Sequence, residues 1–169
     1  MNLQFRFRRL VKKHQSQLFS LAYHLLGQSA EAEDVVQDVL VKLWQHLPEL
    51  EAARVKPWLL RVTRNASLDL LRRRRYSQAY VTETVNAGPQ VVSESPLERL
   101  SSSDLGQRLA EAIRQLDEPY RSLVLLRDVE EMNYREIAEA LELSDSQVKV
   151  YLHRARRRLR ERLGSELDD

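Results

Sequence analysis

The sequence predicts an all-α protein made of two small helical bundles joined by a flexible linker, the C-terminal bundle carrying a helix-turn-helix. Three observations lead there. Apolar residues recur at steps of three and four through both ends of the chain, the period of a half-buried helix. Only four of the 169 residues are glycine, and 43% are hydrophobic against 31% charged, a balance suited to helices around modest cores. Between residues 77 and 103 the period dissolves into serines and threonines with Gly88, Pro89 and Pro96, the composition of a connector. The chain therefore divides into residues 1–76, a linker at 77–103 and residues 104–169.

The first module begins with a helix over about Leu3 to Leu26, with Leu18, Leu21, Ala22 and Leu25 on one face and Gly27 as its stop. Ser29 is expected to cap a second helix. Its first turn carries Glu31 and Glu33, where carboxylates suit the N-terminal dipole. Ala32, Val36, Val39, Leu40, Leu43 and Leu47 form its apolar stripe and Pro48 closes it. Asp34, Gln37, Asp38 and Trp44 are left on the other faces, either as a solvated surface or as one offered to a protein. Residues 49–56 read as a loop ending at Lys56. Pro57 is expected to start a third helix through Trp58, Leu59, Val62, Leu68 and Leu71 to about Arg75. Its polar side carries Arg61, Arg64 and Asn65 and ends in the run Arg72 to Arg75. That run faces either water or phosphate, and Trp58 is either a core residue or a platform for an unpaired base.

The linker includes a candidate helical turn near Leu97 to Leu100. Fully extended it reaches roughly 80 to 90 Å at about 3.3 Å per residue, enough to join two sites one and a half to two DNA turns apart. In the second module Leu105, Leu109, Ala112, Ile113 and Leu116 mark a helix. Asp117 is expected to cap the next, with Pro119 early in it and Val124, Leu125 and Leu126 inside. Asn133 with Glu136 makes a capping box for a short helix bearing Ile137, Ala138 and Leu141. Ser144 with Gln147 makes a second box, opening a helix whose buried stripe is Val148, Leu152, Ala155, Leu159 and Leu163. Its opposite side carries Ser146, Val150, His153 and Arg157, flanked by Lys149, Arg154, Arg156 and Arg160. A short helix, a tight turn and a longer basic helix fit a major groove, where arginines pair with phosphates or guanine edges. A solvated basic face is the alternative for the arginines taken alone.

Charge sharpens this division. Lys and Arg total 27 and Asp and Glu 25, so the net charge of +2 says little, but the two signs are segregated. Acids crowd at Glu31, Glu33, Asp34 and Asp38, and bases at Arg72 to Arg75 and Arg154 to Arg162, which suits a protein partner and a polyanion respectively. With no cysteine, disulfides and thiolate metal sites are excluded. His14, His24, His46 and His153 have no metal-ligand spacing, and no Gly-rich phosphate loop is present. No catalytic residue, metal or other cofactor is expected. The lack of a membrane-length apolar run or a signal-peptide core predicts a cytoplasmic protein.

At this point the residues resemble a known family, the extracytoplasmic-function group of bacterial sigma factors within the sigma-70 family. Ala32-Glu33-Asp34-Val35-Val36-Gln37-Asp38, continued by Leu43-Trp44, resembles its conserved region two helix. Pro57-Trp58-Leu59-Leu60-Arg61-Val62-Thr63-Arg64-Asn65, then Asp69-Leu70-Leu71-Arg72-Arg73, is similar to its promoter-opening segment. Tyr134-Arg135-Glu136-Ile137-Ala138, Val148-Lys149 and His153-Arg154-Ala155-Arg156 resemble region four. Glu142 stands where the family's turn usually has glycine, which predicts a turn that is either strained or differently shaped.

The resemblance implies a transcription initiation factor. Asp34, Gln37, Asp38 and Trp44 would dock on the clamp coiled coil of the RNA polymerase core, and the flap would take the second module. Lys56, Trp58, Arg61, Arg64, Asn65, Arg72 and Arg73 would hold the −10 element of promoter DNA. Ser144, Ser146, Lys149, Val150, His153, Arg154 and Arg157 would read the −35 element. An anti-sigma factor would hold the chain inactive. Melting a duplex costs on the order of 1.4 kcal/mol per base-pair step, which stacking of about 1 to 3 kcal/mol per trapped base can offset. The rivals are a stand-alone helix-turn-helix regulator and a protein-binding helical adaptor. The first lacks a receiver or ligand domain in residues 1–75, and the second leaves both basic clusters idle.

Overall fold

The computed structural model describes residues 2–78 and 102–167, which form helices and no strand. They are α1 (Leu3–Leu26), α2 (Ser29–His46) and α3 (Ala52–Gln78), then α4 (Asp104–Arg114), α5 (Tyr120–Val124), α6 (Tyr134–Leu141) and α7 (Asp145–Leu167). The chain separates into two compact units, one holding α1 to α3 and the other α4 to α7. The helical turn expected at residues 97–100 lies outside the described residues, as does most of the expected linker. At its start, residues 77 and 78 extend α3 rather than leaving it. At its end Ser103 caps α4, accepting from Gly106 N at 3.0 Å.

In the first unit the three helices bury one stripe each. Leu18, Leu21, Ala22 and Leu25 of α1 meet Ala32, Val36, Val39 and Leu43 of α2 and Leu59 and Leu60 of α3. Asn2 caps α1 through its Oδ1 on Gln4 N. Gly27, at φ 74° and ψ 5°, ends the helix in the left-handed conformation that glycine adopts without a Cβ penalty. The connection is so short that α2 starts one residue earlier than expected. Gln28 occupies the cap position without a side-chain bond, and Ser29 is buried in the first turn rather than capping it.

A larger difference concerns residues 49–56. Only 47–51 form a loop, and α3 is helical from Ala52, with Pro57 inside it. Ala52, Ala53 and Arg54 are strong helix formers, and they win over the proline signal. The bond that Pro57 cannot donate belongs to the carbonyl of Ala53, which is exposed, so solvent can take it.

The second unit buries Ala110, Ile113 and Leu116 against Leu123, Val124, Leu125 and Leu126, with Ile137, Val148, Leu152, Ala155 and Leu159 completing the core. Leu105 does not join it. It is 61% exposed, because the buried stripe of α4 runs instead through Gly106, Ala110 and Ile113. Nor does Asp117 cap α5: Pro119 holds that position without a side-chain bond, and the Asp117 carboxylate lies 3.9 Å from Arg158. After Val124 the helix widens into one π-helical turn, Leu125–Val129, closed by Glu130 N on Leu125 O at 2.9 Å.

Two consequences can be measured. Leu152, on the inner side of α7, is almost fully buried. Leu152→Ala should cost about 2 to 5 kcal/mol in denaturant unfolding of the second unit. In the first unit, burial, reinforced by the charges of Lys13 and Lys56, lowers the pKa of the His14 imidazole from its ordinary 6.5. As pH falls through 6.5 the unfolded chain protonates first, so His14's contribution to stability is intact above that value and is lost below it. His14→Gln should flatten the acid-side decline of the urea midpoint between about pH 7 and 5.

Candidate nucleic-acid and polymerase interface

Three outward faces contain nearly all the candidate residues. On α2, Asp34, Gln37, Asp38 and Val41 follow one another at steps of three, one and three, and all are exposed. Asp34 and Asp38 have no ion-pair partner among the described residues. Val41, 56% exposed, gives this acidic face an apolar centre that the sequence reading missed, because it breaks the polar pattern. Trp44 lies at the margin. Its ring meets Phe7 of α1 edge-on at 5.2 Å, so it is partly committed to the fold.

On α3 the inner side is fixed by Leu59, Leu60 and two buried hydroxyls. Thr63 Oγ1 donates to Leu59 O and Ser67 Oγ to Thr63 O, both at 2.8 Å, which satisfies these polar groups without a partner helix. The outer side brings Trp58, Arg61, Asn65, Arg72 and Arg73 onto one face by helical spacing. Arg64 stands at its edge, within 3.4 Å of Asn65 Oδ1. Trp58 is half-buried with its ring 5.6 Å from that of His46, leaving it neither sealed in the core nor free. Tyr76, 76% exposed, extends this face by one aromatic that the sequence reading did not single out.

Lys56 does not belong with them. It is two residues, or about 200° of helical rotation, from Trp58 and so on the other side of α3. There its charge acts on the buried imidazole of His14. The arginine run also divides. Arg74 is half-buried, pairs with Glu31 of α2 and donates from Nη1 to Leu26 O at 3.2 Å, so it binds α3 to the α1–α2 corner rather than facing water or phosphate. Burial lowers its pKa. Arg73 pairs with Asp69 one turn back at 2.7 Å, while Arg72 and Arg75 point outward.

In the second unit both capping boxes are formed. Asn133 Oδ1 accepts from Glu136 N at 2.8 Å and Glu136 Oε2 from Asn133 N at 3.3 Å. Ser144 Oγ accepts from Gln147 N at 3.1 Å and Gln147 Oε1 from Ser144 N at 2.9 Å. Glu142 in the turn is left-handed at φ 56° and ψ 43°, the strained conformation expected of a residue in glycine's place. With the N-terminus of α7 set this way, Ser146, Lys149, Val150, His153 and Arg157 share its exposed face, and Arg154 lies beside them near the Tyr151 ring. Arg157 also reaches Glu161 at 3.0 Å.

Three other arginines of α7 reach partners on their own bundle, while Arg160 is exposed. Arg156 forks onto Asp128 at 2.7 and 3.4 Å, which raises its pKa through the hydrogen bond to that carboxylate. Arg158 covers the Tyr120 ring at 4.3 Å, and Arg162 donates to Gln115 Oε1 at 2.6 Å. Arg156, read from sequence as a flank of the outer face, therefore belongs to the packing of α7 on its bundle.

Comparison with known proteins agrees with these two units. Residues 10–76 match the family model for Sigma-70 region 2, and residues 106–159 match that for Sigma-70, region 4. The chain is 31% identical over 155 residues to the ECF RNA polymerase sigma factor SigE of Mycolicibacterium smegmatis, covering 91% of this chain and 60% of that one. It is 30% identical over 156 residues to the ECF RNA polymerase sigma factor SigL of Mycobacterium tuberculosis, covering 90% and 86%. Among solved structures it resembles the sigma factor RpoE of Bartonella quintana, in complex with the anti-sigma factor NepR, with a TM-score of 0.70, 25% identity and coverage of 94% and 97%. The two Sigma-70 regions in order, with the SigL relative matched over most of both chains, place this chain among the extracytoplasmic-function RNA polymerase sigma factors, the non-enzymatic initiation factors that direct RNA polymerase to promoters.

Proposed function

We propose that the three outward faces divide the work of initiation. The α2 face of Asp34, Gln37 and Asp38, with Val41 at its centre and Trp44 at its margin, meets the clamp coiled coil of the polymerase largest subunit. An acidic rim around an apolar centre is the composition of a specific docking patch. Trp58, Arg61, Arg64, Asn65, Arg72 and Arg73 of α3 hold the unpaired strand of the −10 element, stacking its bases and neutralising its phosphates. Ser144, Ser146, Lys149, Val150, His153, Arg154 and Arg157 read the −35 element in the major groove, while the same unit rests on the polymerase flap. The chain works in the cytoplasm, where promoter DNA and core polymerase are. The complex of the RpoE relative with NepR supports a partner of the anti-sigma kind for this chain as well.

The observation that carries this reading is the sorting of cations on α7. Arg156, Arg158 and Arg162 are held by the bundle, whereas Lys149, His153 and Arg154 are presented outward together. A stand-alone regulator could share that face. It would have no use for the unpaired acids of α2.

Run-off transcription with core polymerase, on promoters selected from a randomised duplex library with the wild-type chain, tests the assignment. Arg154→Ala should lower initiation by about 5- to 100-fold through lost −35 contact, the range for one base-reading arginine. Equal output from the variant removes Arg154 from the reading face. In a pull-down with core enzyme, Asp38→Arg should weaken binding by at least about tenfold with an unchanged unfolding midpoint. Unaltered affinity would remove the α2 face from docking.

A further inference from the structure

The loop at residues 47–51 joins α2, the face assigned to polymerase, to α3, the face assigned to the −10 strand. Its backbone is held from outside by the side chain of Arg6. Arg6, on the second turn of α1, donates from Nη1 to Leu47 O at 3.0 Å and from Nη2 to Leu50 O at 2.6 Å. Leu47 is the C-cap residue of α2, so its carbonyl is one of those left without an intrahelical donor, at the negative end of the helix dipole. Leu50 O lies in the loop proper, just before α3 begins. One planar guanidinium thus fixes the spacing between the end of one functional helix and the approach to the next. A lysine could offer the charge but no rigid pair of donors.

The anchor itself is well placed. Asn2 caps the start of α1 and its carbonyl accepts from Arg6 N at 3.1 Å, while the adjacent Phe7 packs edge-on against Trp44 near the end of α2. Asn2 thus fixes the turn that carries Arg6, and the Phe7–Trp44 contact holds that turn against the end of α2.

We propose that Arg6 is a positioning residue for capture of the −10 strand: it sets the loop at residues 47–51, and through it the start of α3, in the geometry that accepts unpaired bases. This rests on the assignment of α3 to the −10 element. Arg6 touches no DNA in this account. It acts through the Leu47 and Leu50 carbonyls, and the two-bond fork rather than the charge is what matters.

The test compares Arg6→Lys, Arg6→Ala and Asn65→Ala in holoenzyme assembled with core polymerase. Each is measured for the unfolding midpoint, core affinity, and binding of the non-template single strand from a promoter selected with the wild-type chain. For Arg6→Lys the expected result is single-strand binding weakened by about tenfold, the loss of one charge-assisted hydrogen bond, with core affinity and midpoint near wild type. Arg6→Ala should lose at least as much strand binding. If Asn65→Ala weakens strand binding and Arg6→Lys does not, the positioning role is overturned and the α3 assignment stands. If the losses in Arg6→Lys follow a fallen midpoint or lost core affinity, Arg6 is only a helix cap and the proposal fails. If Asn65→Ala binds the strand like wild type, the α3 assignment fails and the proposal falls with it.

Discussion

A guanidinium that holds a carboxylate or a carbonyl of another element is committed to the fold, and this competition for arginines shapes the outer faces of α3 and α7. The chain is rich in cations, yet its net charge is only +2. Glu31 takes Arg74, Asp128 takes Arg156 and Gln115 takes Arg162. On α3 and α7 the cations left without such a partner include the ones gathered on one outward side of each helix. The same rule explains the α2 face in reverse, since its acids are the ones that no arginine of the first unit reaches. Individually such exposed or half-exposed pairs add little stability, on the order of 0 to 1 kcal/mol each. Their effect on function is larger, because they decide where unneutralised charge is left.

Much of the fold was legible because helices announce themselves locally. The stripes of α1, α2 and α7 and the two capping boxes need only residues within a few positions of one another, and each formed as read. What failed depended on competition. Pro57 looked like a helix start, but two alanines and an arginine upstream carry the helix past it. Ser29 and Asp117 looked like caps because their side chains are suited to the role, yet the chain enters each helix by another route. Leu105 is apolar and in phase with its neighbours, and only the packing of α4 shows that the stripe runs through Gly106.

The candidate interface was legible in the same uneven way. Residues that must avoid the core were identified by helical phase, and most of them share a face as expected. Phase could not tell which arginines would find partners across the fold, since Asp128 is far from Arg156 in sequence. Nor could it show that the charge of Lys56 acts on His14, because residues 49–56 were read as a loop. Val41 and Tyr76 were overlooked for the opposite reason: an exposed apolar residue in a polar pattern looks like noise until its surroundings are seen. Arg6 had no signal at all, its partners being two main-chain oxygens more than forty residues away.

The widened turn at Leu125–Val129 adds one residue to a helix that would otherwise run on evenly. That extra residue sets the azimuth from which Asp128 meets Arg156, and it brings Arg127 onto Met132 O at 2.7 Å and over the ring of Tyr134. Loss of a single residue there would let an ordinary helix re-form while turning everything beyond it by roughly 100° about the axis. The segment before the helix-turn-helix is thus a place where evolution can exchange side chains more freely than it can change chain length.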